Sequence, residues 1–303
     1  FTYLIEVLSV DSANKATGRY DLVIVDEAHC IGAYPKPSKR AKMVRQVVGE
    51  TPVIFLSATP TPESWSQIYH QLWVSAVSPF AEYKNFYAWA RDYVHVTVQR
   101  IGVLRVNDYS NADKAKILAA LPPSFMLTLT QAEAEFQQEL TEHVLNVKMH
   151  PATHLLIHKL IHERYHRLKD GGEIVCDSPA KLMQKCHQVS GGTVIDEKGE
   201  SRVLDPSKAI AIRDAFAGKK IVIFYKFVAE FELLKTVFPN WTNSPEEFRA
   251  SRDKTFLGQF LSAREGLELS SADAVVFYTT DYPWLSYAQA KERIQKKDRH
   301  TPA

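Results

Sequence analysis

The 303-residue sequence is short of several things, and each shortage removes a class of protein. Its three cysteines, Cys30, Cys176 and Cys186, include no Cys-x-x-Cys pair, so neither a disulfide framework nor a thiolate zinc site is indicated and a reducing setting fits best. No apolar run approaches the roughly 18 residues of a membrane span, so a membrane partner is not expected. The start of the chain lacks the basic, apolar and small-residue succession of a secretory signal. A charge excess is missing too: 37 Lys and Arg against 35 Asp and Glu leave +2, so any preference for an anionic partner has to come from local clusters. What is present, 45% apolar and 24% charged residues, is the balance of a soluble globular chain of about two domains.

Four short apolar runs predict strands buried on both faces: Leu22 to Val25, Val53 to Leu56, Ile221 to Tyr225 and Ala274 to Tyr278. Between the second and third lies a largely helix-compatible region from about Phe80 to Phe216, broken at Leu121-Pro122-Pro123, where proline restricts its neighbour. The expected fold class is α/β: two lobes with parallel sheets, residues 1–120 and 121–303, and a helical region between the strand-bearing parts.

The segment Tyr20-Asp-Leu-Val-Ile-Val-Asp-Glu-Ala-His29 places two acids directly after the first strand, at the carboxyl end where open α/β sheets bind ligands. One carboxylate there can hold Mg²⁺ and its neighbour can orient and deprotonate water attacking a γ-phosphate. Asp26 is assigned to the metal and Glu27 to the water. A bare Asp-Glu pair is an ordinary loop start, but Ala28 and His29 complete the DEAH signature of helicase-type ATPases behind an apolar strand. About thirty residues on, the second strand runs Val53-Ile-Phe-Leu-Ser-Ala-Thr-Pro60.

With these motifs the chain resembles a superfamily 2 motor of the Swi/Snf-like, phage-type branch. The Ser-Ala-Thr string is similar to the family motif in which Ser57 and Thr59 would couple the hydrolytic acids to lobe movement. Leu127 to Phe136 resembles the entry to the second lobe, and Lys181 to Ser190 the helix that follows. Phe260-Leu-Ser-Ala-Arg-Glu-Gly-Leu-Glu-Leu-Ser-Ser-Ala-Asp273 is similar to motif V, with Gly266 allowing close backbone approach and Glu268 counted with the nucleotide-binding residues. Tyr287 to Arg299 is similar to motif VI, a helix presenting arginines to phosphate across the cleft. Gln289 and Arg293 match that pattern, whereas Lys296 stands where a second arginine is usual and Arg299 is the next candidate. The resemblance implies RecA-like lobes, the first incomplete, with ATP and Mg²⁺ between them, and a nucleic-acid partner, double-stranded DNA in this branch. A cytoplasmic or nucleoid-associated setting follows from it.

The phosphate loop GxxxxGK[ST] of such motors occurs nowhere in the sequence; Gly218-Lys219-Lys220 is the nearest fragment. Family order places that loop before the acids, so it is expected upstream of Phe1, and residues 1–303 alone are expected to turn over ATP poorly. Two basic clusters, Lys36 to Arg45 and Lys291 to Arg299, suit a nucleic-acid backbone. A competing motif is His150, His154, His158, His162 and His166, in which His162-Glu-Arg-Tyr-His166 satisfies the HExxH pattern of zinc proteases with Glu163 as base. A four-residue period drifts about 40° per step on a helix, so five histidines cannot converge on one ion, and an exposed histidine stripe is the expected outcome. A catalytically silent nucleic-acid-binding module is the remaining alternative.

Overall fold

A computed structural model describes residues 4–102, 104–129, 133, 141–260, 267–280, 287, 290 and 291. The chain divides into two compact units, Phe1–Thr128 and Leu129–Ala303. Both are mixed α/β, and each contains a parallel sheet.

In the first unit β1 (Val23–Val25) leads through a 3-10 turn (Ala28–Ile31) to α1 (Lys39–Val48) and then β2 (Val53–Phe55). The two strands pair in parallel, Val23 to Val53, Ile24 to Ile54 and Val25 to Phe55. Helix α1 starts where Ser38 Oγ accepts the Ala41 N–H at 3.0 Å and stops at Gly49, whose φ of +50° suits glycine. Its apolar face, Ala41, Val44 and Val48, packs with Val25, Ala28 and Ile31 into one core cluster. That burial covers only one face of the sheet. The alternate residues Leu22, Ile24, Ile54 and Leu56 are 45–57% exposed, so the expectation of strands buried on both faces fails here.

After β2 this unit continues with α2 (Gln67–Trp73), α3 (Phe86–Tyr93), an antiparallel hairpin of β3 (Thr97–Ile101) and β4 (Leu104–Asp108), and α4 (Lys114–Ala120). Tyr69, Phe80, Phe86, Trp89 and Tyr93 make an aromatic core with Ile68, Leu72 and Ile117. Helix α4 ends at Ala120, with Leu121 extended as its C-cap ahead of Pro122 and Pro123, as the proline pair predicts.

The second unit opens with α5 (Pro151–Glu163), the hairpin β5 (Tyr165–Arg167) and β6 (Glu173–Val175), α6 (Pro179–Ser190), and the hairpin β7 (Thr193–Ile195) and β8 (Ser201–Val203). There follow α7 (Ser207–Ala215), β9 (Ile221–Tyr225), α8 (Val228–Val237), β10 (Trp241–Thr242), α9 (Pro245–Ala250), β11 (Thr255–Gln259) and β12 (Ala274–Phe277). The last four strands form one parallel sheet in the order β10-β11-β9-β12. Here both faces are covered. Ile221, Ile223 and Tyr225 pack with α7 and α8 through Ala209, Ile212, Leu233 and Leu234, while Val222 and Phe224 pack with Phe248, Phe256 and Phe260.

Two sequence readings are corrected. The region from Phe80 to Phe216 holds three antiparallel hairpins among its helices, because short alternating runs meet at turn residues such as Gly102, Gly171 and Gly199, all at positive φ. The HExxH string does not lie on one helix either: α5 ends at Glu163, Arg164 takes the left-handed cap at φ 61°, and His166 belongs to β5. His162 and His166 therefore do not share a helix face, and no group of three or more His, Cys, Asp or Glu side chains suited to a metal stands together among the described residues.

Candidate active site

Strand β1 delivers Asp26 and Glu27 to the carboxyl edge of the first sheet, and β2 delivers Ser57 to the same edge beside them. The turn is tight. Glu27 adopts φ 50° and ψ 47°, a left-handed conformation that costs a side-chain-bearing residue about 1–2 kcal/mol. Its N–H donates to Asp26 Oδ1 at 2.9 Å, and the Ala28 N–H donates to the Leu56 carbonyl at 2.9 Å, tying the 3-10 turn to the end of β2.

His29 joins the two motifs. Its Nδ1 lies 3.1 Å from Glu27 Oε2 and 3.2 Å from Ser57 Oγ, and the imidazole side chain is only 12% exposed. Ser57 Oγ also accepts the Thr59 N–H at 3.3 Å. The Thr59 hydroxyl is buried and has no hydrogen-bond partner among the described residues. Asp26 is exposed, and Glu27 keeps 46% of its side chain open to solvent although its Oε2, which faces His29, is buried. Hard, accessible carboxylate oxygen at a strand end suits Mg²⁺, which takes one or two protein carboxylates and completes its shell with water and phosphate.

Of the other residues singled out by sequence, Glu268 lies 3.6 Å from Arg249 and accepts from Ser270 Oγ at 3.2 Å. Gly266, Gln289, Arg293, Lys296 and Arg299 lie outside the described residues. Of the first basic cluster, Arg40 is engaged in a forked pair with Asp11 at 2.6 and 2.8 Å, which pulls the Asp11 carboxyl below its ordinary value. Arg45 stacks on Trp73 at 3.9 Å and donates to the Trp73 carbonyl. Lys36, Lys39 and Lys42 are exposed. In the second cluster Lys291 pairs with Glu142 at 2.6 Å.

Sequence reasoning missed a polar knot at the carboxyl edge of the second sheet. Glu230, wholly buried, accepts from the backbone N–H of Lys226 at 2.9 Å and of Phe227 at 3.0 Å, and from Thr279 Oγ1 at 2.5 Å. Burial pushes its carboxyl upward against those hydrogen bonds. Beside it a pocket of about 230 Å³ is lined by Met183, Gln184, His187, Lys226 and Phe227. The Glu at the third position of α8 was the available signal for the cap, but nothing in the string announces its burial.

A family profile described as SNF2-related domain matches residues 2–198. The chain belongs to that family. The match covers the first unit and runs on through β7, so both acids, His29, Ser57 and Thr59 lie inside it. Members of the SNF2-related family are helicase-like, ATP-dependent motors, and the chain shares that class. No curated relative matches it. Among the described residues no helix is long and apolar enough to cross a membrane.

Proposed function

We propose that this SNF2-related chain is the hydrolytic part of a superfamily 2 motor of the phage-type, DEAH-box branch, which hydrolyses ATP to move on or remodel duplex DNA. Residues 1–120 are the C-terminal part of the first RecA-like lobe, and 121–303 are the second. One observation carries the reading: a strained Glu27, an accessible Asp26, and a His29 bridging Glu27 to Ser57 meet at a single strand edge.

In this reading Asp26 would hold Mg²⁺, which would supply positive charge to the phosphates of ATP. Glu27 orients the attacking water and takes its proton, a contribution of about 10² to 10⁴ in rate. His29 positions Glu27, and its contact with Ser57 lets the state of the acid edge reach the segment after β2. By the resemblance of their segments to motifs V and VI, Gln289, Arg293, Lys296 and Arg299, together with Gly266 and Glu268, are assigned to the nucleotide. The polypeptide as it is naturally made should hydrolyse ATP, and duplex DNA should accelerate it. Hydrolysis indifferent to DNA, or stimulated only by RNA, would refute the duplex-DNA motor; nucleic-acid binding with no hydrolysis at all would establish the silent module instead.

A further inference from the structure

Beyond the acid edge, the first unit carries a feature with no role in hydrolysis. The β3–β4 hairpin stands on the aromatic core: Tyr93 and Val94 are buried, Val94 bridges to Ala112, and the Asp113 N–H donates to the Tyr93 carbonyl at 2.8 Å. Beyond that base Thr97 to Arg100 and Leu104 to Asn107 are exposed, Val98 by 59% and Leu104 by 64%. A two-stranded hairpin free on both faces is marginal by itself, so its side chains are displayed for contact more than for folding.

The register sorts those side chains. Arg100 sits directly opposite Arg105, on the same face as the Val98 and Asn107 pair. The one acid in the hairpin, Asp108, faces the other way, where its carboxylate accepts from Gln99 Nε2 at 2.7 Å and from the Ser110 N–H at 2.9 Å. Among the described residues neither guanidinium forms an ion pair. Like charges directly opposed across a strand pair destabilise it, so this arrangement works against the fold unless an anion lies between them. Two forked, permanently charged donors side by side match the oxygens of a phosphodiester.

We infer that the basic face of the β3–β4 hairpin, centred on Arg100 and Arg105, is a docking surface for the sugar–phosphate backbone of a nucleic acid. The choice of anion rests on the motor reading; the cross-strand geometry does not.

The test is anisotropy of a fluorescein-labelled duplex titrated with the full chain over a range of salt, for the wild type, Arg105→Glu, and the double variant Arg100→Lys with Arg105→Lys. Arg105→Glu should bind about tenfold more weakly and flatten the salt dependence of log K by about 2, one for each phosphate no longer neutralised. The double-lysine variant should keep the slope. Because Arg105→Glu turns a repulsive cross-strand pair into an attractive one, its thermal midpoint should equal or exceed the wild type's, which separates weakened binding from weakened folding. Wild-type binding matched by Arg105→Glu would overturn this assignment alone. A wild-type chain that binds neither duplex nor single strand would overturn the motor reading and the assignment with it. Displacement of the labelled duplex by polyglutamate at lower concentration than by unlabelled duplex would replace the nucleic acid with an acidic protein.

Discussion

Glu27 is held in a backbone conformation that its own side chain disfavours, and its neighbours fix it there: Asp26 Oδ1 accepts its N–H, and the Ala28 N–H is committed to Leu56. Strain of this kind persists where surrounding structure over-determines it, commonly at a functional site. Glycine adopts the same dihedrals without penalty. Glu27→Gly should therefore raise the free energy of unfolding by about 0.5–1 kcal/mol, measured by urea denaturation, while removing the water-activating carboxylate. A stability loss at this position would mean that Glu27 is structural. The letters Asp26-Glu27-Ala28-His29 were legible in the sequence, but the left-handed turn was not, because a glutamate gives no sign of positive φ. The 3.2 Å contact between His29 and Ser57 was equally hidden, since it joins residues 28 apart through strand pairing.

Among elements, α2 carries the clearest pH response. The His70 ring is 2% exposed, stacks on Phe86 at 5.7 Å, and places Nδ1 2.6 Å from the Ala33 carbonyl. Burial pushes its pKa down to about 4. The folded ring is thus neutral where an unfolded chain, with an ordinary value of 6.5, already binds a proton. Protons bound preferentially by the unfolded state weaken the fold, so this contribution is complete above about pH 6.5 and is lost as pH falls toward 4, roughly 3 kcal/mol at most. His70→Asn should lower stability at neutral pH yet show a shallower decline between those limits, by denaturant unfolding at a series of pH values. An unchanged slope would contradict neutral burial of His70.

The elements themselves were unevenly legible. The continuous apolar runs gave β1, β2, β9 and β12 to within one residue at each end, although only in β9 does the unbroken hydrophobicity reflect burial of every residue. The hairpins were missed because Thr97 to Asp108 mixes Gln, Arg and Asn with valines, and its period of two is weak beside the helix formers around it. The Gly102-Val103 pair between two β-branched runs was the signal that would have found β3 and β4. Strand β11 was overlooked for another reason: Thr255-Phe-Leu-Gly-Gln259 is buried yet carries a glycine, whose added Cβ would strike Phe256 and Phe224.

For the whole molecule, two units with parallel sheets and membership of the SNF2-related family give a helicase-like class, but the chemistry belongs to a site and not to a fold. The Ser-Ala-Thr motif was readable as a string, and its meeting with the acid pair came only from the parallel pairing of β1 with β2. The central claim is that Glu27 activates the water that attacks ATP while Asp26 holds the metal. Single-turnover hydrolysis by the naturally made polypeptide and its Glu27→Gln variant, each with labelled ATP, Mg²⁺ and duplex DNA, tests it most directly. The variant should retain nucleotide but release phosphate at least about 10² times more slowly. Release at the wild-type rate would contradict it.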